Sequence, residues 1–196
     1  MIRPNVRLVV LGAMAVIAGV SGCTSDEVAS PPQTKTPGPV AVTVAPPATR
    51  DNPGRASIPY DPCQFFDDAD VERAGFTPRT RERADFIADT YSVVGCKFKE
   101  LRDGRQARIL TVDVSNVPLR EQPYFDTATE HLTIDGREAV IFHLSEATKS
   151  SACFLAMSVP EGSASVQIST SLAFSTEKPC DRIKEVAGVY EAELPD

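Results

Sequence analysis

Four cysteines, Cys63, Cys96, Cys153 and Cys180, constrain this chain more than any other feature. An even number of cysteines in an exported domain reads as two disulfides, for which three connectivities are possible. A zinc site is the poorer reading, because no two of these cysteines are close in sequence and the chain has only two histidines. The fifth cysteine, Cys23, stands apart near the N-terminus. Whether the four can be bridged depends on the compartment, and the first residues speak to that.

Arg3 and Arg7 give a positive start with no acidic residue near it, and Leu8 to Val20 is an unbroken apolar run. This is the build of a secretory signal. The run is short of the roughly twenty apolar residues that span a bilayer. Val20-Ser21-Gly22-Cys23 follows and resembles the lipobox of bacterial lipoproteins, in which the cysteine takes a diacylglycerol thioether before cleavage on its N-terminal side. Residues 1–22 are thus expected to be a lipoprotein signal peptide and Cys23 the lipidated residue. The mature protein would sit on the outer face of the cytoplasmic membrane, in the cell envelope. Two acyl chains with an N-acyl chain exceed the single chain that binds only marginally. Loss of Arg3 and Arg7 takes the formal charge from −7 to −9. A domain that acidic is a poor partner for nucleic acid or anionic headgroups, so the lipid must hold it at the membrane.

Residues 23–59 read as the lipidated cysteine and a disordered tether. Half of the sixteen prolines fall between Thr24 and Pro59, among Ser, Thr, Ala and Gly. That composition buries too little apolar surface to offset the entropy of ordering. The rest, 60–196, is the size of one domain. Asp67 can cap a short helix over 68–74, closed by Gly75. Residues 77–90 are charged and irregular and read as a surface excursion. Strands are expected at 91–101 and 108–116 around Asp103-Gly104, at 129–134 and 138–144 around Asp135-Gly136, and at 152–159 and 164–172. A helix at 118–127 is expected despite Pro123. Ile183, Val186, Ala187 and Tyr190 have the spacing of an amphipathic helix over 180–194. The order predicts an α+β domain: an antiparallel sheet of about six strands, with two to three helices packed at its ends and two disulfides. Within that layout the local pairing, Cys63 with Cys96 and Cys153 with Cys180, is favoured because it staples each terminal helix to the sheet. Each closed loop of about thirty residues would be worth roughly 3–4 kcal/mol, less any strain.

Asp61-Pro62-Cys63, Gly95-Cys96-Lys97-Phe98, Ile134-Asp135-Gly136-Arg137, Cys153 in a strand and Pro179-Cys180 opening the last helix run through nearly the whole domain. Together they resemble an actinobacterial lipoprotein domain of unknown function that includes the mycobacterial LprB and LprC lipoproteins. Members often carry tryptophan where this chain has Phe98. The resemblance implies a lipid-anchored, disulfide-bonded envelope domain and carries over no catalytic residue.

The sequence holds no phosphate-cradling glycine loop, no Gly-x-Ser-x-Gly elbow and no His-Glu-x-x-His motif. His131 and His143 flank one expected hairpin. A three-residue turn would put both on one face, where they could share a metal or a proton, and a two-residue turn would separate them. Two polar positions on a solvated face are the plainer reading. Ser165, Gln167, Ser169 and Ser171 alternate with Val166, Ile168, Thr170 and Leu172, the period of a half-exposed strand. Arg79, Arg81 and Arg83 could grip a phosphate or carboxylate, but Glu82, Asp85 and Asp89 make a neutralised surface loop the better reading. Phe65, Phe66, Phe76 and Phe86 are expected to feed the core. No catalytic residue, metal ligand or cofactor is identified. The residues favour a non-enzymatic binding or accessory module, held at the membrane by its lipid and engaging an envelope protein or ligand. The alternatives are a hydrolase acting on envelope polymers and a lipid- or ligand-carrying or sensing domain.

Overall fold

A computed structural model describes residues 36–48, 50–174 and 176–195, which all fall in one compact unit. Cys23 and the signal peptide lie outside the described residues. Eight antiparallel strands form one sheet: β1 (Thr77–Arg83), β2 (Phe86–Ile87), β3 (Ser92–Arg102), β4 (Arg105–Ser115), β5 (Glu130–Ile134), β6 (Arg137–Phe142), β7 (Ala152–Val159) and β8 (Gly162–Thr170). Their spatial order is β1-β3-β4-β8-β7-β6-β5, with β2 also paired to β3. Three α-helices, α1 (Pro62–Phe65), α2 (Asp68–Arg73) and α3 (Ile183–Glu191), complete an α+β domain.

The three tight hairpins follow from their turn residues. Asp103-Gly104 and Asp135-Gly136 all take positive φ, the conformation that two-residue turns need to match strand twist. Arg102 therefore pairs with Arg105 and Ile134 with Arg137. The β7–β8 turn places Glu161 at φ 58° after Pro160, a residue order suited to a type II turn. Residues 77–90, expected as an irregular excursion, instead supply β1 and β2. The charges that suggested a loop are spent inside the fold. Arg81 is buried, and its guanidinium donates to the carbonyls of Cys63 and Phe66 and to Asp68, at 2.8–3.0 Å. It thereby satisfies carbonyl groups that the four-residue α1 leaves without helical partners. Arg83 bridges Asp61 and Asp85, and Lys97 and Lys99 both reach Glu82. Only Arg79 of the three arginines is exposed. The helix expected at 118–127 is limited to a single 3-10 turn, Leu119–Glu121. Pro123 cannot donate a backbone hydrogen bond and disfavours helix in the residue before it.

One face of the sheet packs against the helices. Cys96, Phe98, Leu110, Val112, Leu155, Met157, Val166 and Ile168 are fully buried there with Phe66, Val71, Ile183, Val186 and Tyr190. The spacing of α3 delivers all four of its expected apolar residues to this core. Phe66 sits edge-on to both Phe98 and Tyr190, at centroid distances of 5.9 and 5.5 Å. Phe65 packs at the margin and Phe76 is buried, but Phe86 departs from expectation: it is 55% exposed and lies against Tyr91 on the short β2. The disulfides are Cys63–Cys96 and Cys153–Cys180, with Cα separations of 5.0 and 5.2 Å. They join α1 to β3, and β7 to the 3-10 turn that leads into α3.

Part of the stretch that composition assigns to the tether is described and lies along this domain without forming helix or strand. The Pro39 carbonyl accepts from Asp68 N–H, and Ala41 N–H donates to the Asp68 carboxylate at 2.6 Å. Val44 and Ile58 pack on the core. Asn52 is buried and links this stretch to the sheet: its side chain accepts from Ser92 Oγ (2.7 Å) and Asn116 Nδ2 (2.9 Å) and donates to the Ala88 carbonyl.

Among the glycines of the sheet the tightest backbone approach is at Gly162, where a Cβ would sit 2.2 Å from the Ser115 carbonyl oxygen. Gly162→Ala is expected to lower stability by about 2–3 kcal/mol, because backbone rather than a flexible side chain must yield. Gly104→Ala meets nothing within 4 Å and carries only the strain of its positive φ, about 1 kcal/mol. Urea unfolding of the two variants should rank them in that order.

Candidate functional site

Alternation along the strands gives the sheet a second, outer face opposite the helices. The register lines up Gly95 (β3), Asp113 (β4), Ser165 (β8), Ala156 (β7) and Val140 (β6) across it. The next row is Lys97, Thr111, Gln167, Phe154 and Phe142. The loop after β4 folds over one side of this face. Tyr124 stacks flat on Phe142 with ring centroids 3.6 Å apart, and Phe142 stacks on Phe154 at 5.2 Å. Leu119, Val140, Phe142 and Ala156 form a second, smaller core under this loop, with Phe125 and Ala128 packed against it. The loop reaches β8 only at its start, where Gln122 Nε2 donates to Ser163 Oγ and Ser163 Oγ donates to the Val117 carbonyl. Thr111, Asp113, Ser165, Gln167, Ser169, Lys97 and Lys99 are left as a half-exposed polar strip beside the aromatic stack.

Asp113 is the chemically distinctive member of the strip. Ser165 Oγ donates to its Oδ1 at 2.8 Å. On its other side Gly95 lets the Ala84 backbone come close: a Cβ there would lie 2.8 Å from Ala84 O and 3.1 Å from Asp113 Cβ. Asp85 holds that bend by accepting the Gly95 N–H at 2.9 Å. Burial pushes the Asp113 carboxyl up from the ordinary 3.8 to about 6, and the Ser165 hydrogen bond opposes the shift. Burial, helped by the charge of Asp113, raises the Tyr124 phenol well above its usual value. A carboxyl that titrates near pH 6 can exchange a proton with a ligand or change its hydrogen bonding between mildly acidic and neutral conditions. The serine alternation was legible in the sequence; the pairing of Asp113 with Ser165 was not, because it depends on a contact between strands fifty residues apart.

The histidines are separated. The two-residue Asp135-Gly136 turn sets His131 opposite Val140 on the outer face, where Phe125 meets its ring edge-on at 5.1 Å. His143 follows β6 and lies on the other side, with Nε2 4.0 Å from Cys180 Sγ and Nδ1 3.2 Å from the Ala152 carbonyl. The arginines 81 and 83 serve internal ion pairs rather than a ligand. Away from the strip, a solvent-open groove is lined by Gly54, Arg55, Ala56, Asn116, Pro118, Glu121 and Glu161, and Arg55 and Glu121 pair across it at 2.7 Å.

Residues 18–192 match a family described as a protein of unknown function, DUF3558. The chain belongs to that family. No curated protein and no solved structure matches it. The match to DUF3558 takes in all five cysteines and the whole sheet.

Replacing Asp113 by Asn keeps an acceptor for Ser165 and removes the desolvated charge. Because the folded pKa lies above the unfolded one, the native acid holds its proton more tightly, and native stability declines as pH rises from about 4 to about 6. Above pH 6 the deficit is constant. Asp113→Asn is therefore expected to gain stability with rising pH, reaching about 1–2 kcal/mol at pH 7 once screening by water is allowed for, and to gain little at pH 4. Denaturant midpoints at the two pH values check this.

Proposed function

We propose that this DUF3558 protein is a lipid-anchored module of the cell envelope that binds, through its outer sheet face, another envelope protein or ligand. The observation that carries this reading is the half-exposed strip of Asp113, Ser165, Gln167 and Thr111 beside the partly exposed rings of Tyr124 and Phe154, which sandwich the buried Phe142. A broad, rigid face that mixes aromatic rings with hydrogen-bonding groups suits recognition, since the rings supply area at low entropy cost and the polar groups supply direction. The strands beneath it are held by β3–β4, β4–β8 and β7–β8 pairing on both sides, so the groups are already placed before a partner arrives.

The membrane assignment rests on the charged start, the short apolar run and Val20-Ser21-Gly22-Cys23, of which only the tetrapeptide and the end of the run fall within the family match. Among the described residues no helix is long and apolar enough to cross a membrane. Among the described residues the chain already meets the domain at Gly38, beside Asp67, about fifteen positions after Cys23, a separation of several tens of Å at most.

A photo-crosslinking side chain installed at Gln167 in cells should yield a discrete adduct, whereas the same group at Lys184, on α3, should not. Equal labelling at both positions, or none at Gln167, would argue against the face. Asp113→Asn separates this reading from that of a hydrolase acting on envelope polymers: binding should weaken without being lost, while hydrolysis that used the titrating acid would vanish. Cys23→Ser is expected to release the protein from the membrane fraction and abolish lipid labelling; a variant still membrane-bound and labelled would refute the anchor.

A further inference from the structure

Three potential soft ligands meet at the edge of the helix-covered core. His143 Nε2, Cys153 Sγ and Cys180 Sγ lie within 4.8 Å of one another. The two sulfurs are joined in the disulfide. Nδ1 of His143 faces the Ala152 carbonyl at 3.2 Å, so the ring donates its proton there and leaves the Nε2 lone pair directed at the sulfurs. A metal-bound histidine is usually oriented by this kind of second hydrogen bond.

We propose that reduction of Cys153–Cys180 converts this corner into a zinc-class site of two thiolates and one imidazole. The reductant is a dithiol: it gives two electrons and two protons to the disulfide, yielding two cysteine thiols and its own disulfide. Binding of a divalent d10 ion then displaces both thiol protons to water and leaves a neutral metal–dithiolate unit, with His143 Nε2 as third ligand and water as fourth.

The geometry permits both states. Tetrahedral zinc with Zn–S near 2.3 Å and Zn–N near 2.0–2.1 Å sets the sulfurs about 3.8 Å apart and each sulfur about 3.6 Å from the nitrogen. The imidazole already stands 4.0 Å from Cys180 Sγ. The 5.2 Å Cα separation spans a bond or a bridged ion, so side-chain rotation can make most of the change. Cys153 is fixed and buried in β7, but Cys180 is half-exposed in the 3-10 turn Pro179–Arg182. That exposure admits the reductant at this disulfide. The Cys63–Cys96 pair differs: both residues are almost wholly buried, and its sulfur neighbours are backbone carbonyls of Glu82 and Gly95, with no imidazole.

The test uses the full protein, reduced anaerobically with a phosphine and titrated with Co2+ as the spectroscopic stand-in for zinc, with thiol mapping to show which cysteines opened. The expected result is one Co2+ per chain with thiolate-to-cobalt charge-transfer absorption, displaced by Zn2+, and Cys153 and Cys180 as the opened pair. The oxidised protein should give no such absorption. His143→Gln, a half-exposed position that leaves both disulfides intact, should weaken Co2+ binding by at least about tenfold. Absence of the charge-transfer band in reduced protein would overturn the proposal. So would opening of Cys63–Cys96 in its place, or unchanged affinity in His143→Gln.

Discussion

The pairing of β4 with β8 is the contact on which the architecture depends. It joins Arg108–Ser115 to Ser163–Thr170 across the intervening residues 116–162 and makes one sheet out of two hairpin systems. Side chains alternate across a strand, so a slip of one residue would turn Leu110, Val112, Val166 and Ile168 out of the core and bring polar residues in. The same register sets Asp113 opposite Ser165 on the outer face and brings Gly162 against the Ser115 carbonyl. Core, outer face and the β7–β8 turn are thus fixed by one alignment.

Helices this short could not hold their places by themselves. An isolated helix below about twelve residues is marginal in water, and α1 and α2 have four and six residues. Their positions come from elsewhere. Cys63–Cys96 clamps α1 to β3, Arg81 caps α1 from β1, and Asp67 caps α2. At the other end Cys153–Cys180 fixes the entry to α3, and Arg137 binds both Glu191 and the Pro195 carbonyl at 2.7 Å to secure its exit. The terminal helices are held by covalent and ionic staples on a sheet that carries most of the buried apolar surface.

Local chemistry made much of this fold legible. Asp-Gly pairs marked two hairpins because those turns need positive φ, and the Ile183, Val186, Ala187, Tyr190 spacing marked α3. The cysteine spacing pointed to the pairing that the structure has. What the sequence hid was long-range compensation. The charges in 77–90 look like those of a solvated loop until Asp61, Asp68, Lys97 and Lys99 are brought alongside. The helix expected at 118–127 despite Pro123 shrinks to Leu119–Glu121, because the proline disfavours helix in the residue before it and supplies no backbone donor. Asp113 carries no local sign of its raised pKa, which arises from burial in the assembled sheet against the opposing Ser165 hydrogen bond.

The outer face therefore gains its character from the fold, with Asp113 at its centre. A 13C carboxyl NMR titration of Asp113 reads that environment directly. The account requires a midpoint near 6, raised by desolvation despite the Ser165 hydrogen bond. A midpoint near 4, the value of an aspartate in open water, would contradict the desolvation of Asp113 that the account assigns to this face.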